Sequence, residues 1–256
     1  MNTLGLDIGG ANIKAASSGG RTLSRPFAIW KHPEHLESHI ASICREFPEA
    51  SKLAVVMTAE LADCFTTKAE GVRFILDHVE AGSPRLPYSV WTTEGRLVSG
   101  KGAREQPMLV AAANWHALAT WVGSALISGA DLPPSAPESF SILIDIGTTT
   151  TDIIPLVNGR PASIGNTDVT RLQSGELCYS GVKRTPLCAV AHSVPFRDGY
   201  CALAAEFFAT TLDVHLLLGA IPEDEADLET ANGRPATRTA AHDRLALANQ
   251  DRRDNL

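Results

Sequence analysis

The stretch Ile142-Leu-Ile-Asp-Ile-Gly-Thr-Thr-Thr-Thr-Asp-Ile-Ile-Pro-Leu156 decides the reading of this chain, because it repeats an earlier one, Leu4-Gly-Leu-Asp-Ile-Gly-Gly-Ala-Asn-Ile-Lys-Ala-Ala16. In both, an apolar strand ends on Asp-Ile-Gly, small or polar residues follow, and a second apolar run returns. That pattern is a strand, a tight turn and a returning strand. One such Asp-x-Gly would say little, since Asp is a common turn former. Two, each closing an apolar strand and each opening a hairpin, point to anion binding. Glycine lets the backbone approach a phosphate without a Cβ in the way. Successive N–H groups in a tight turn form a nest for an anion. The expected phosphate-binding set is Gly9, Gly10 and Asn12 in the first turn, and Gly147, Thr148, Thr149 and Thr150 in the second. Asp7 and Asp145, at the strand ends, can hold Mg²⁺ through water against phosphate oxygens.

Outward from these turns, Arg21 to Trp30 can supply a third strand. His35 to Phe47 has apolar residues at 36, 40, 43 and 47, a helical spacing, and Pro48 follows it. The valine-rich run 52–58 reads as a buried strand. Residues 68–81 read as a helix and 88–93 as a strand. Residues 107–128 read as one long, Ala-rich helix with Pro at its start. Three prolines within 131–138 make a semi-rigid connector. After the second hairpin, Asn158-Gly159 signals a two-residue turn into a third strand, 160–165. The stretch 168–198 shows no period, and its lone Gly175 and Gly181 read as turn residues. Residues 200–218 read as a helix. The tail from Glu223 has no Phe, Trp or Tyr and reads as exposed.

Of the 256 residues, 44% are hydrophobic and 20% charged, which is ordinary globular usage. The net charge of −7 argues against a nucleic-acid or anionic-membrane binder, but not against a small anion held by backbone amides. The five cysteines are odd in number and contain no C-x-x-C, so reduced thiols are expected. No apolar run approaches the roughly 18 residues a membrane span needs, and Asp7 and Lys14 interrupt any secretory apolar region. A cytoplasmic protein with a small-molecule partner is the expectation; the oligomeric state is open.

The paired turns resemble the phosphate-1 and phosphate-2 loops of the superfamily of acetate and sugar kinases, heat-shock proteins and actin (ASKHA). Within it the chain is similar to the hydantoinase/oxoprolinase branch, and to the tetrahydromethanopterin-linked one-carbon transfer proteins, which are similar to the archaeal methanofuran-biosynthesis synthase. Besides the two hairpins, the resemblance rests on segments 57–76, Ala-Ala-Ala-Asn-Trp-His-Ala-Leu-Ala at 111–119, 174–189 and 205–219, together most of the chain. It implies an α/β protein of two ribonuclease-H-like (actin-like ATPase) domains facing across a cleft. Domain one would be 1–130 with the first loop; domain two would be 139–256 with the second loop, continuing beyond residue 256 to complete itself and an adenine side.

In that superfamily a carboxylate after the core strand often orients or deprotonates the nucleophile, which singles out Glu60, and less strongly Asp63 at i+3 if a helix begins there. Their other reading is helix N-terminal acids facing the dipole. Lys68 could neutralise a phosphate, and Arg184 could clamp a diphosphate in bidentate fashion; each could equally be a surface charge. His35 and His39 suit a solvated helix face, with no carboxylate completing a metal site. Cys64, Trp115, Trp121 and Phe74 read as buried packing residues. The resemblance implies three functions: a transferase releasing diphosphate from a furanylmethyl donor onto a phenol, with Asp7, Asp145 and Glu60 catalytic; an ATP-dependent hydrolase of a cyclic amide; or a non-catalytic nucleotide-binding module. Mg²⁺ is the expected cofactor, with ATP in the second case.

Overall fold

Leu4, Leu6 and Ile8 alternate along β1 (Thr3–Ile8) and all three are buried. The computed structural model describes residues 2–128 and 139–248; the Pro-rich connector 131–138 lies outside them. β1 turns back as β2 (Asn12–Ser17), antiparallel, with Asp7 opposite Lys14, and β3 (Thr22–Pro26) pairs outside β2. After α1 (Leu36–Glu46), β4 (Lys52–Met57) runs parallel to β1. After α2 (Lys68–Gly82), β5 (Tyr88–Trp91) runs parallel to β4, and β6 (Leu97–Ser99) ends the sheet antiparallel. The order is β3-β2-β1-β4-β5-β6. Parallel neighbours need a crossover, and α1 and α2 supply both. Their apolar stripes, Leu36, Ile40 and Ile43 with Val72, Ile75 and Val79, form one core with Leu4, Leu6, Ile8, Leu53, Val55 and Met57.

The sequence pattern predicts one helix over 107–128, but the structure has three pieces nearby. These are α3 (Gly100–Glu105), α4 (Pro107–Val110) and α5 (Asn114–Ser128). The break falls at residues 111–113, where Ala112 takes φ 47°. Alanine favours helix, so something outside local propensity holds this backbone, and the site below shows what.

β7 (Phe140–Ile146) and β8 (Thr151–Val157) form the second hairpin. Asn158 and Gly159, both at positive φ, turn β8 into β9 (Arg160–Pro161), as the dipeptide predicts, though this strand is far shorter than 160–165. The aperiodic stretch contains α6 (Asp168–Ser174), β10 (Leu177–Cys178), which pairs with β8, and α7 (Leu187–Val190). The helix expected over 200–218 is not there. β11 (Ser193–Phe196) and β12 (Gly199–Ala202) form a hairpin, and only α8 (Thr211–Leu217) is helical. Thr210 and Asp213 make a reciprocal capping box that fixes where α8 starts.

The tail is also not simply exposed. α9 (Arg238–Ala248) packs Ala241, with Ala236 before it, against Leu212 and Leu216. Arg244 is fully buried, its Nε 2.7 Å from Asp213 Oδ1. Small residues plus one compensated charge make this contact without aromatics, which is why composition misled.

The chain divides into two compact units, Met1–Ile142 with Ile154–Arg171, and Leu143–Ile153 with Leu172–Leu256. No helix among the described residues is long and apolar enough to cross a membrane. The duplicated strands differ sharply in burial. Leu6 is 1% exposed, whereas Ile144, its counterpart one residue before the second Asp, is 57% exposed. Leu6→Ala should therefore cost about 2 to 5 kcal/mol, and Ile144→Ala within about 0.5 kcal/mol, measured by urea denaturation. Equal costs would contradict the burial difference.

Candidate functional site

The duplication is local structure as well as sequence. The Gly9 N–H donates to the Asn12 carbonyl at 3.0 Å, and the Gly147 N–H donates to the Thr150 carbonyl at 2.8 Å. The same closed turn forms twice. In the first, the Gly10 and Ala11 carbonyls accept from the Ile29 and Phe27 N–H groups at 3.1 and 2.9 Å. Their own N–H groups find no protein acceptor among the described residues, the state an anion nest requires. Asp7 stands just before this turn, its Oδ2 3.4 Å from Lys14 Nζ.

The second turn is braced differently. The Val182 N–H donates to the Gly147 carbonyl at 3.0 Å, and the Lys183 and Arg184 N–H groups donate to the Thr148 carbonyl at 3.1 and 3.0 Å. A Cβ on Gly181 would lie 2.6 Å from Thr149 N, so Gly181 is not a mere turn residue. Its N–H donates to Thr185 Oγ1 at 2.7 Å. Segment 180–185 thus supports the Thr-rich turn, and it is the backbone of Arg184 that does so. Sequence reasoning missed this role; the signal was the loss of period after the second hairpin.

Glu60 follows β4. The Thr58 N–H donates to the Ile8 carbonyl at 3.0 Å, which ties the ends of β1 and β4 together. Residues Ala59–Leu61 form a single 3₁₀ turn, not the start of a helix, so Glu60 is buried and Asp63 is exposed. The two carboxylates do not share a direction. Glu60 Oε1 accepts the Ala112 N–H at 2.7 Å. That bond accounts for the broken helix, because it takes the N–H that a continuous helix would donate to the Met108 carbonyl. Glu60 Oε2 is buried with no hydrogen-bond partner among the described residues. Gly71 of α2 packs on the Glu60 backbone, where a Cβ would approach to 2.8 Å. Burial pushes the Glu60 carboxyl up to about 7; N–H donation and Lys68 oppose the rise, and Asp168 adds to it.

Lys68, at the start of α2, is paired with Asp168 at the start of α6. Lys68, Ala111, Ala112, Asn166, Thr167 and Asp168 line a small cavity. Arg171, one turn along α6, lies over the Trp115 ring at 3.9 Å. Trp115 is buried as expected, but Trp121 is 70% exposed and Cys64 is exposed. His32, Glu34 and His35 gather on the surface, so a carboxylate does stand beside the histidines; all three are exposed.

The first unit thus combines a parallel-stranded sheet, a glycine-closed turn after Asp7 and a buried acid after β4. The chain belongs to the hydantoinase/oxoprolinase family, whose model matches residues 52–252. It is 35% identical, over 90% of its length, to a (4-{4-[2-(gamma-L-glutamylamino)ethyl]phenoxymethyl}furan-2-yl)methanamine synthase of Methanocaldococcus jannaschii, covering 66% of that protein. It is 44% identical, over 37% of its length, to a Methanococcus vannielii protein of the same name, covering 42% of it. The chain thus spans under two thirds of each relative. Among solved structures, a nucleotide-free acetone carboxylase aligns with 88% of this chain and 34% of its own at 16% identity and a TM-score of 0.42.

A buried acid titrating near neutrality leaves a mark on stability. The Glu60 carboxyl is raised from 4.5 to about 7 in the fold. Its contribution is fully present below the unfolded value and is lost as pH rises through the folded one. Wild-type stability should fall between about pH 5 and 8 by a few kcal/mol from this group. Glu60→Gln should flatten that stretch, read by thermal melts across pH; an unchanged slope contradicts it.

Proposed function

We propose that the chain is a transferase of methanofuran-type cofactor biosynthesis. It would join the methyl carbon of a furanylmethyl diphosphate to a phenolic oxygen and release diphosphate. The observation that carries this reading is the 35% identity over nine tenths of the chain to a synthase whose product, by its name, is a furanylmethyl aryl ether. In balanced form, Glu60 accepts the phenolic proton, the phenolate oxygen forms the new C–O bond, and the C–O bond to diphosphate breaks. A base of pKa near the working pH suits that transfer. The unused N–H groups of Gly10 and Ala11 are proposed to take diphosphate oxygens, with Gly9 and Asn12 shaping that turn. Gly147 and Thr148 to Thr150 are proposed to do the same in the second unit.

Asp7 and Asp145 each offer hard carboxylate oxygens beside such a turn, which fits Mg²⁺ held through water. The ion would supply charge neutralisation on the departing diphosphate. Two ribonuclease-H-like units are part of the proposal; the first sheet, with its hairpin followed by two parallel crossovers, supports that topology. A cytoplasmic setting is proposed with it.

The family match favours a second reading, ATP-dependent opening of a cyclic amide. Incubation with Mg²⁺, a furanylmethyl diphosphate and a phenolic amine separates the two. Ether formation without ATP supports the first, and phosphate release that needs ATP and a cyclic amide supports the second. Asp7→Asn and Asp145→Asn should each lower turnover at least 100-fold, about 3 kcal/mol, while leaving the far-ultraviolet circular dichroism unchanged. Near-normal rates in both at saturating Mg²⁺ would sink the two-turn mechanism. Glu60→Gln should lower turnover about 10²- to 10⁴-fold with little change in diphosphate affinity by calorimetry; lost affinity with normal turnover would make Glu60 a binding residue.

A further inference from the structure

Glu60 is a buried acid with a cation close enough to influence it, yet the two are not paired. The cation, Lys68, is held by Asp168, which comes from 100 residues further along the chain. Ala112, which donates to Glu60 Oε1, lines the same cavity as Lys68 and Asp168. The other carboxylate oxygen, Oε2, is buried with no hydrogen-bond partner among the described residues. An ammonium at this cavity, if free to move, would be drawn to a buried carboxylate and would hold it ionised. Asp168 stands in the way of that.

We propose that Asp168 is a positioning residue for Glu60: by holding the Lys68 ammonium it withholds that charge from the Glu60 carboxyl. The charged groups that face Glu60 are Lys68 on α2 and Asp168 on α6. Met108, Ala111 and Ala112, from α4 and the break, add none, and Arg171 on α6 faces the Trp115 ring instead. The two charges act on Glu60 with opposite sign: Asp168 raises its proton affinity and Lys68 lowers it. This deepens the reading of Glu60 as the base, because an acid fixed as a carboxylate by Lys68 would be a weak acceptor for a phenolic proton. It also accounts for the sequence between the second hairpin and α6. Thr167 and Thr170 bond each other's N–H and hydroxyl groups there, setting the turn that presents Asp168.

The test needs no substrate, so its outcome and that of the proposed reaction are independent. The protein is labelled with ¹³C at the Glu side-chain carboxyls, the Glu60 resonance is assigned by its loss in Glu60→Gln, and its titration is followed by NMR. Asp168→Asn should move the Glu60 midpoint down by about one pH unit, a tenfold loss of proton affinity. Lys68→Met should move it up. Asp168→Glu, which keeps the counter-charge, should return it close to the wild-type value. A structural disturbance would not give opposite signs at the two partners. Shifts in the same direction, or no shift in either, overturn the proposal. Should Asp168→Asn fail to fold, Lys68→Met with an unmoved or lowered midpoint overturns it alone.

Discussion

The hydrogen bond from the Ala112 N–H to Glu60 Oε1 is the interaction on which the first unit's working face depends. It joins the end of β4 to a stretch whose own preference is helical. Three consecutive alanines would extend α5 back to Pro107 if propensity decided. Instead Ala112 sits at φ 47°, a conformation that costs alanine on the order of 1 kcal/mol. Strain of this kind persists where the surroundings over-determine it. Here the determinant is a carboxyl group 2% exposed whose Oε1 accepts the Ala112 N–H and whose Oε2 is buried without a partner among the described residues. The helix break, the close packing of Gly71 and the raised proton affinity of Glu60 all follow from burying that carboxyl beside two tied strand ends.

The two Asp-Ile-Gly turns show how far a short sequence fixes its own geometry and where it stops. Both close with the same bond, from the glycine N–H to the carbonyl three residues on. What holds them differs. The first turn is tied by its carbonyls to segment 27–29, and the second by segment 180–185, with Gly181 pressed against it. The strands behind them differ too: the residues matching Leu4, Leu6 and Ile8 are Ile142, Ile144 and Ile146, all more than half exposed. A duplicated motif here carries over the closed turn without its packing.

Most of the first unit was legible because its elements are strongly periodic. The valine-rich β4, the 36/40/43 stripe of α1 and the hairpin at Gly9 and Gly10 needed only local rules. The Asn158-Gly159 turn was equally plain. Misses came where distant contacts decide. Residues 107–128 read as one helix because the bond from Ala112 to Glu60 spans 52 residues. Residues 200–218 read as a helix because their apolar spacing suits one, although Asp198-Gly199 just before them marks the turn of the hairpin. The tail read as exposed because alanines around a compensated Arg244 bury surface without large apolar side chains. Of the candidate site, the turns and Glu60 were visible as motifs, but Asp168 was not, since nothing near it in sequence hints at a partner 100 residues earlier.

The central claim is that a buried Glu60 carboxyl holds the break at Ala112. Hydrogen exchange at the Ala112 amide measures this most directly. The account predicts that this N–H exchanges as slowly as amides in the middle of β1 and β4. It also predicts that Glu60→Ala speeds its exchange roughly ten- to a hundredfold relative to those strands, the loss of one buried bond. Exchange at Ala112 on the timescale of an open loop in the wild type, or protection unchanged in Glu60→Ala, would contradict it.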